Sequence, residues 1–276
     1  VICQFENEDL TSEEIRDSLI STLNDSEVYN DKIKEWPKCF TLEYAKFGDY
    51  DFSIDLVPTI LDENPNICEK NISEKYLINV LKIATKESKY DWYTINPRGY
   101  QTWFNDINSR FALYNRENRM RSLFEANKQI YASVEDIPEY FNKSSLQEAI
   151  QILKRSRDIY FSKIHKEDNK PASIIITTFA ALIANNSSTD IDSIDLVFNV
   201  LKELNYYSSD ELYSRIVSPI IKKDGKWEFL NPVNDKDNLL DSWNKDKENV
   251  TLFFNWVKKA NKDFSNIIDL NNNEHI

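Results

Sequence analysis

Phe52, Ile54 and Leu56 alternate with Asp51, Ser53, Asp55 and Val57, a period of two that predicts a strand with one apolar face, ending at Pro58. Phe40–Ala45 reads the same way, and the Lys46–Asp51 turn with Gly48 makes the two a hairpin. Val1–Phe5 is a further strand, so the chain is expected to start inside a folded element. Thr11 with Glu14 forms a capping box, opening a helix that buries Ile15, Leu19, Ile20 and Leu23 and ends near Asn24. Ser73–Glu87 is expected to be a helix with Tyr76, Leu77, Val80, Leu81 and Ala84 inward. Beyond it strand signals nearly vanish. Pro97 suits a first helical turn, and Tyr100, Trp103, Phe104, Ile107 and Phe111 recur at helical spacing.

A second capping box, Ser144 with Gln147, opens a helix to Ile164 whose buried stripe is Leu146, Ile150, Leu153, Tyr160 and Ile164. Further helices are expected over Pro171–Asn185, Asp192–Leu204 and Asn249–Ile268, whereas Asn234–Glu248 reads as solvated loop. The pattern predicts an α+β protein: an α/β lobe over residues 1–138, then an all-helical lobe over 139–276. A cleft between two lobes is a common place for a ligand.

Composition narrows the classes. The 276 residues are 41% hydrophobic and 13% aromatic, enough for a sizeable core, and only 3 are glycine. A formal charge of −12 argues against a general DNA or RNA binder, which needs a basic surface. Cys3, Cys39 and Cys68 lack C-x-x-C spacing, so neither a disulfide framework nor a zinc site is implied, and a cytoplasmic setting is expected. His165 and His275 cannot build a histidine-rich metal site. The longest apolar run, Ser173–Ala184, is too short to span a membrane, and no signal peptide is seen.

Three places could carry chemistry. Asp55 is a carboxylate in an apolar strand, facing water, a cation or a metal. Arg157 lies in a buried stripe and needs an anionic partner, Asp158 or another carboxylate in a structural role or a phosphate in a functional one; Lys154 beside it reads by spacing as a surface i,i+4 partner of Asp158. Ser173 opens an apolar helix, where a hydroxyl either stabilises the helix start or binds an anion. No G-x-x-x-x-G-K-[ST], G-x-G-x-x-G, H-E-x-x-H or G-x-S-x-G sequence occurs.

Taken in order, Ile54-Asp55-Leu56-Val57-Pro58, Asn96-Pro97-Arg98-Gly99-Tyr100 with Trp103-Phe104, Leu146-Gln147 to Asp158, Lys170-Pro171-Ala172-Ser173, and Asn231-Pro232-Val233 with Trp243 and Phe253–Trp256 resemble the bacterial CD-NTases. These are the cGAS/DncV-like nucleotidyltransferases of CBASS anti-phage defence, especially the SMODS type, and the resemblance covers nearly the whole chain. It implies a polymerase-β-like nucleotidyltransferase core joined to an OAS/cGAS-like helical lobe. The implied reaction joins NTPs into a cyclic di- or trinucleotide messenger with release of pyrophosphate. It also implies Asp55 as a catalytic, metal-binding carboxylate for Mg²⁺ or Mn²⁺, and Lys154 and Ser173 as triphosphate-binding residues. CBASS ancillary and effector proteins are the implied partners.

The sequence departs from the family at its start. The G-S and D-x-D that precede the first strand in the family are not present, and Asp49-Tyr50-Asp51 lies in a turn with no G-S ahead of it. The C-terminus also looks short of the family's usual end. On Asp55 alone the chain is expected to be incomplete or inactive. The alternative is a non-catalytic nucleotide-binding or interaction protein on the same scaffold.

Overall fold

Thr11 caps the first helix as its spacing predicts: its hydroxyl accepts from the Glu14 amide, and the Glu14 carboxylate accepts from the Thr11 amide at 2.8 Å. The computed structural model describes residues 1–7, 9–43, 52–65, 72–126, 143–207 and 219–273. By contacts the chain divides into one unit of Val1–Thr102 with Val233–Asp237 and a second of Trp103–Pro232 with Asn238–Ile276. The expected lobe boundary at 138/139 lies outside the described residues.

In the first unit, β1 (Ile2–Gln4), α1 (Ser12–Asn24), β2 (Ile33–Glu35), β3 (Phe40–Glu43), β4 (Ser53–Leu61), β5 (Leu81–Lys86) and β6 (Tyr90–Ile95) build one mixed sheet with a helix on it. The strands run in the order β2-β3-β4-β5-β6, with β1 parallel to β4 and the rest antiparallel. The predicted hairpin is present, Thr41 opposite Asp55, although its turn lies outside the described residues. β4 does not stop at Pro58. It pairs with β3 through Ser53–Leu56 and with β5 through Thr59–Leu61, so the proline, which has no amide hydrogen to give, falls between the two ladders. Leu19, Ile20 and Leu23 of α1 pack with Phe40, Leu42 and Leu56, which leaves Asp55 on the other face of the sheet.

The helix expected over Ser73–Glu87 is not formed. A single 3₁₀ turn at Glu74–Tyr76 is followed by β5, whose alternate residues are held between β4 and β6. Val80, Ile83 and Thr85 are β-branched, and paired strands on both sides outweigh the helical spacing. β6 likewise corrects the expectation that strands vanish: Tyr90, Trp92, Tyr93, Thr94 and Ile95 are strand-forming types.

At the end of β6, Asn96 joins three segments. Its side-chain Oδ1 accepts from the Gly99 amide at 2.9 Å, capping α2 (Pro97–Ala126), while its Nδ2 donates to Tyr76 O and Val233 O. A Cβ on Gly99 would lie 2.0 Å from Tyr76 O and 2.4 Å from the Asn96 side chain, so only glycine fits.

The second unit holds most of α2 and then α3 (Ser145–Lys163), α4 (Ser173–Asn185), α5 (Ser193–Tyr206), the β7 (Ile221–Lys223) and β8 (Lys226–Glu228) hairpin, the short strand β9 (Leu230–Asn231), α6 (Asp241–Lys245) and α7 (Lys247–Asn273). The stripe of α3 is Leu146, Ile150, Leu153, Arg157 and Phe161; Ile164, expected inside, is 37% exposed. Trp103, Trp243 and Trp256 are buried as core anchors, and Trp227, Trp243, Phe253, Phe254 and Trp256 stack edge-to-face or tilted. Asn234–Glu248 is not loop throughout. It contains β10 (Asn234–Asn238) and α6, and Asn234 is buried because its amide donates to Thr94 O.

Candidate functional site

α3 delivers a buried cation to the start of α4. Arg157 is 5% exposed; its Nε and Nη2 donate to Asp158 Oδ1 at 3.0 and 2.8 Å. Its Nη1 donates to Pro171 O at 2.8 Å and to Ser173 Oγ at 3.1 Å. The partner required for this buried cation is therefore Asp158, the structural choice, together with the chain leading into α4. Lys170 adds a second cation to Asp158 at 3.3 Å, a contact that sequence spacing did not signal. Burial raises the Asp158 carboxyl, but the hydrogen bonds and charges of Arg157 and Lys170 together hold it below its ordinary value.

Lys154 lies one turn before Arg157 and is half-buried. Its expected i,i+4 ion pair with Asp158 is not formed, since Asp158 is turned to Arg157 and Lys170. The ammonium has no hydrogen-bond or ion-pair partner among the described residues. Burial and then the Arg157 charge push its pKa below the ordinary value, against the pull of Asp158. Ser173 is exposed at the first position of α4, and Ala172, the residue before it, provides no side-chain cap. The Ile175 amide donates to Ala172 O at 3.1 Å, and the Ser173 and Ile174 amides are left to water or an anion.

Lys154 and Ser173 both belong to the second unit, where Arg157, one turn from Lys154, touches Ser173. Asp55 belongs to the first. It is exposed on β4, and its Oδ1 accepts from the Thr41 hydroxyl at 2.6 Å across the β3–β4 pair. Nearby, burial and then the Asp55 charge raise the Cys39 thiol, so it is a poor nucleophile. Among the described residues no three His, Cys, Asp or Glu side chains are grouped to hold a metal ion. Asp55 fits as one oxygen ligand of Mg²⁺ or Mn²⁺ but does not make a site by itself. Asp49-Tyr50-Asp51 lies outside the described residues.

No family model matches the chain. It is 27% identical over 253 residues to a c-di-GMP synthase of Roseivirga ehrenbergii, an alignment covering 92% of this chain. The chain spans only 56% of that relative's length. Among solved structures it superposes on the Bradyrhizobium diazoefficiens CD-NTase CdnG in complex with GTP, with a TM-score of 0.63 at 18% identity, over 96% of this chain and 70% of that one. It also superposes on the E. coli MS115-1 CdnC:HORMA-deltaN complex, with a TM-score of 0.50 at 13% identity, over 96% and 69%.

Proposed function

We propose, from the premise that this chain is a relative of the CD-NTases and carries their fold, that it is the part of a cyclic-oligonucleotide synthase in which Lys154 and Ser173 hold an NTP triphosphate. The observation that carries this reading is the half-buried Lys154, without an ionic partner among the described residues, one turn from an Arg157 that touches the hydroxyl opening an uncapped helix. A triphosphate would supply the charge that Lys154 lacks and accept from the free amides of α4.

In the reaction, a ribose hydroxyl attacks an α-phosphate, a phosphodiester forms, and pyrophosphate leaves. Lys154 and Ser173 would bind the departing phosphates. Asp55 would give one ligand to Mg²⁺ or Mn²⁺, which when bound neutralises phosphate charge and activates the hydroxyl. Parallel pairing of Ile2 with Val57 sets the start of β1 alongside Asp55.

The relative's name makes c-di-GMP one product to seek. An anti-phage role, a HORMA-type ancillary partner, a cognate effector and a cytoplasmic setting belong to the same proposal. Among the described residues no helix is long and apolar enough to cross a membrane.

The test is to incubate the native full-length protein with labelled ATP, GTP, CTP and UTP and Mg²⁺ or Mn²⁺, then digest with phosphatase. Phosphatase-resistant label that disappears in Asp55→Asn supports the assignment. Product retained in Asp55→Asn removes the carboxylate from the mechanism. NTP binding without product in the wild type replaces synthase with the non-catalytic nucleotide-binding reading.

A further inference from the structure

We propose that a groove between α3 and α7, in the second unit, binds a small organic anion with an aromatic or aliphatic body. The cavity is about 510 Å³, within the usual range for a small-molecule site. Ile159, Tyr160, Trp256 and Phe264 form its walls, and the Trp256 indole N–H donates to Ser156 Oγ at 3.3 Å, fixing the ring.

Its charge runs against that of the molecule. The chain carries −12 overall, yet the groove is lined by Arg155, Lys163 and Lys259 against the single Asp263. Lys259 and Asp263 pair with each other. Arg155 and Lys163 remain exposed, with no ionic partner among the described residues. A cationic rim over an aromatic floor selects a carboxylate, sulfonate or phosphate attached to an apolar body. Arg155, Ile159 and Lys163 recur every four residues along one side of α3, and Lys154 and Arg157 lie on the opposite side. The groove is therefore separate from the triphosphate cradle, and its ligand need not be a nucleotide.

Two dyes with the same rings test this: 1-anilinonaphthalene-8-sulfonate, which is anionic, and N-phenyl-1-naphthylamine, which is neutral. Each is titrated against the folded protein and followed by fluorescence, with thermal melting to confirm the fold of every variant. Arg155→Gln combined with Lys163→Gln should weaken the sulfonate by about five- to tenfold and leave the neutral dye nearly unchanged. Ile159→Glu, at an exposed wall position, should weaken both dyes, and Lys154→Gln neither. Because Lys154→Gln is also the variant that tests the triphosphate reading, the two proposals fail separately. Sulfonate affinity unchanged in the double variant would overturn the groove assignment. So would a dye lost in Lys154→Gln but kept in Ile159→Glu.

Discussion

At Lys154 the proposed phosphate-binding role and a stability role predict different outcomes. Its folded pKa lies below the ordinary 10.5, so the unfolded chain holds this proton more tightly than the folded one. Stability owed to this group therefore rises with pH from the lowered value up to about 10.5 and is least below that window. Lys154→Met should leave the melting temperature at neutral pH unchanged or raised, and should remove stabilisation by added NTP. A lower melting temperature would make Lys154 a structural ion-pair residue. Arg157 behaves oppositely. Arg157→Met strands Pro171 O and Ser173 Oγ and should cost about 2 kcal/mol or more in denaturant unfolding. Gly99→Ala reverses a familiar sign: at an ordinary helical position the change stabilises by about 1 kcal/mol. Here the added methyl meets Tyr76 O and Asn96, and a lowered melting temperature of about 4–8 °C or more is expected.

Elements were legible where their signals are local. Both capping boxes and the β3–β4 hairpin follow from a few adjacent residues, and Thr11→Ala should cost about 1 kcal/mol by urea titration, with α1 fraying first. β5 was not legible, because Tyr76, Leu77, Val80, Leu81 and Ala84 mimic a helical face. Only β4 and β6, distant in sequence, make Leu81–Lys86 extended. The buried Asn234 was missed for the same reason: its partner Thr94 lies 140 positions away. Arg16 was missed too. Buried in α1, it donates to the carbonyls of Pro37, Ala84 and Trp36 and pairs with Glu35, contacts that helical periodicity does not reveal. In the candidate site, residue type and position alone read Lys154 as a surface ion pair and Ser173 as a helix start, and only the family resemblance puts both forward as phosphate ligands. The hydrogen bond from Arg157 to Ser173 needed coordinates.

At the scale of the whole molecule, the second unit holds the proposed phosphate cradle and the first holds Asp55, so the proposed nucleotide binding and the proposed catalysis separate experimentally. The account stands on the cradle. Calorimetric titration of GTP and ATP, each with Mg²⁺, into the wild-type protein and into Lys154→Gln tests it most directly. The account predicts binding that falls by about tenfold or more in the variant while both proteins melt alike. Equal affinity in the two proteins would contradict it.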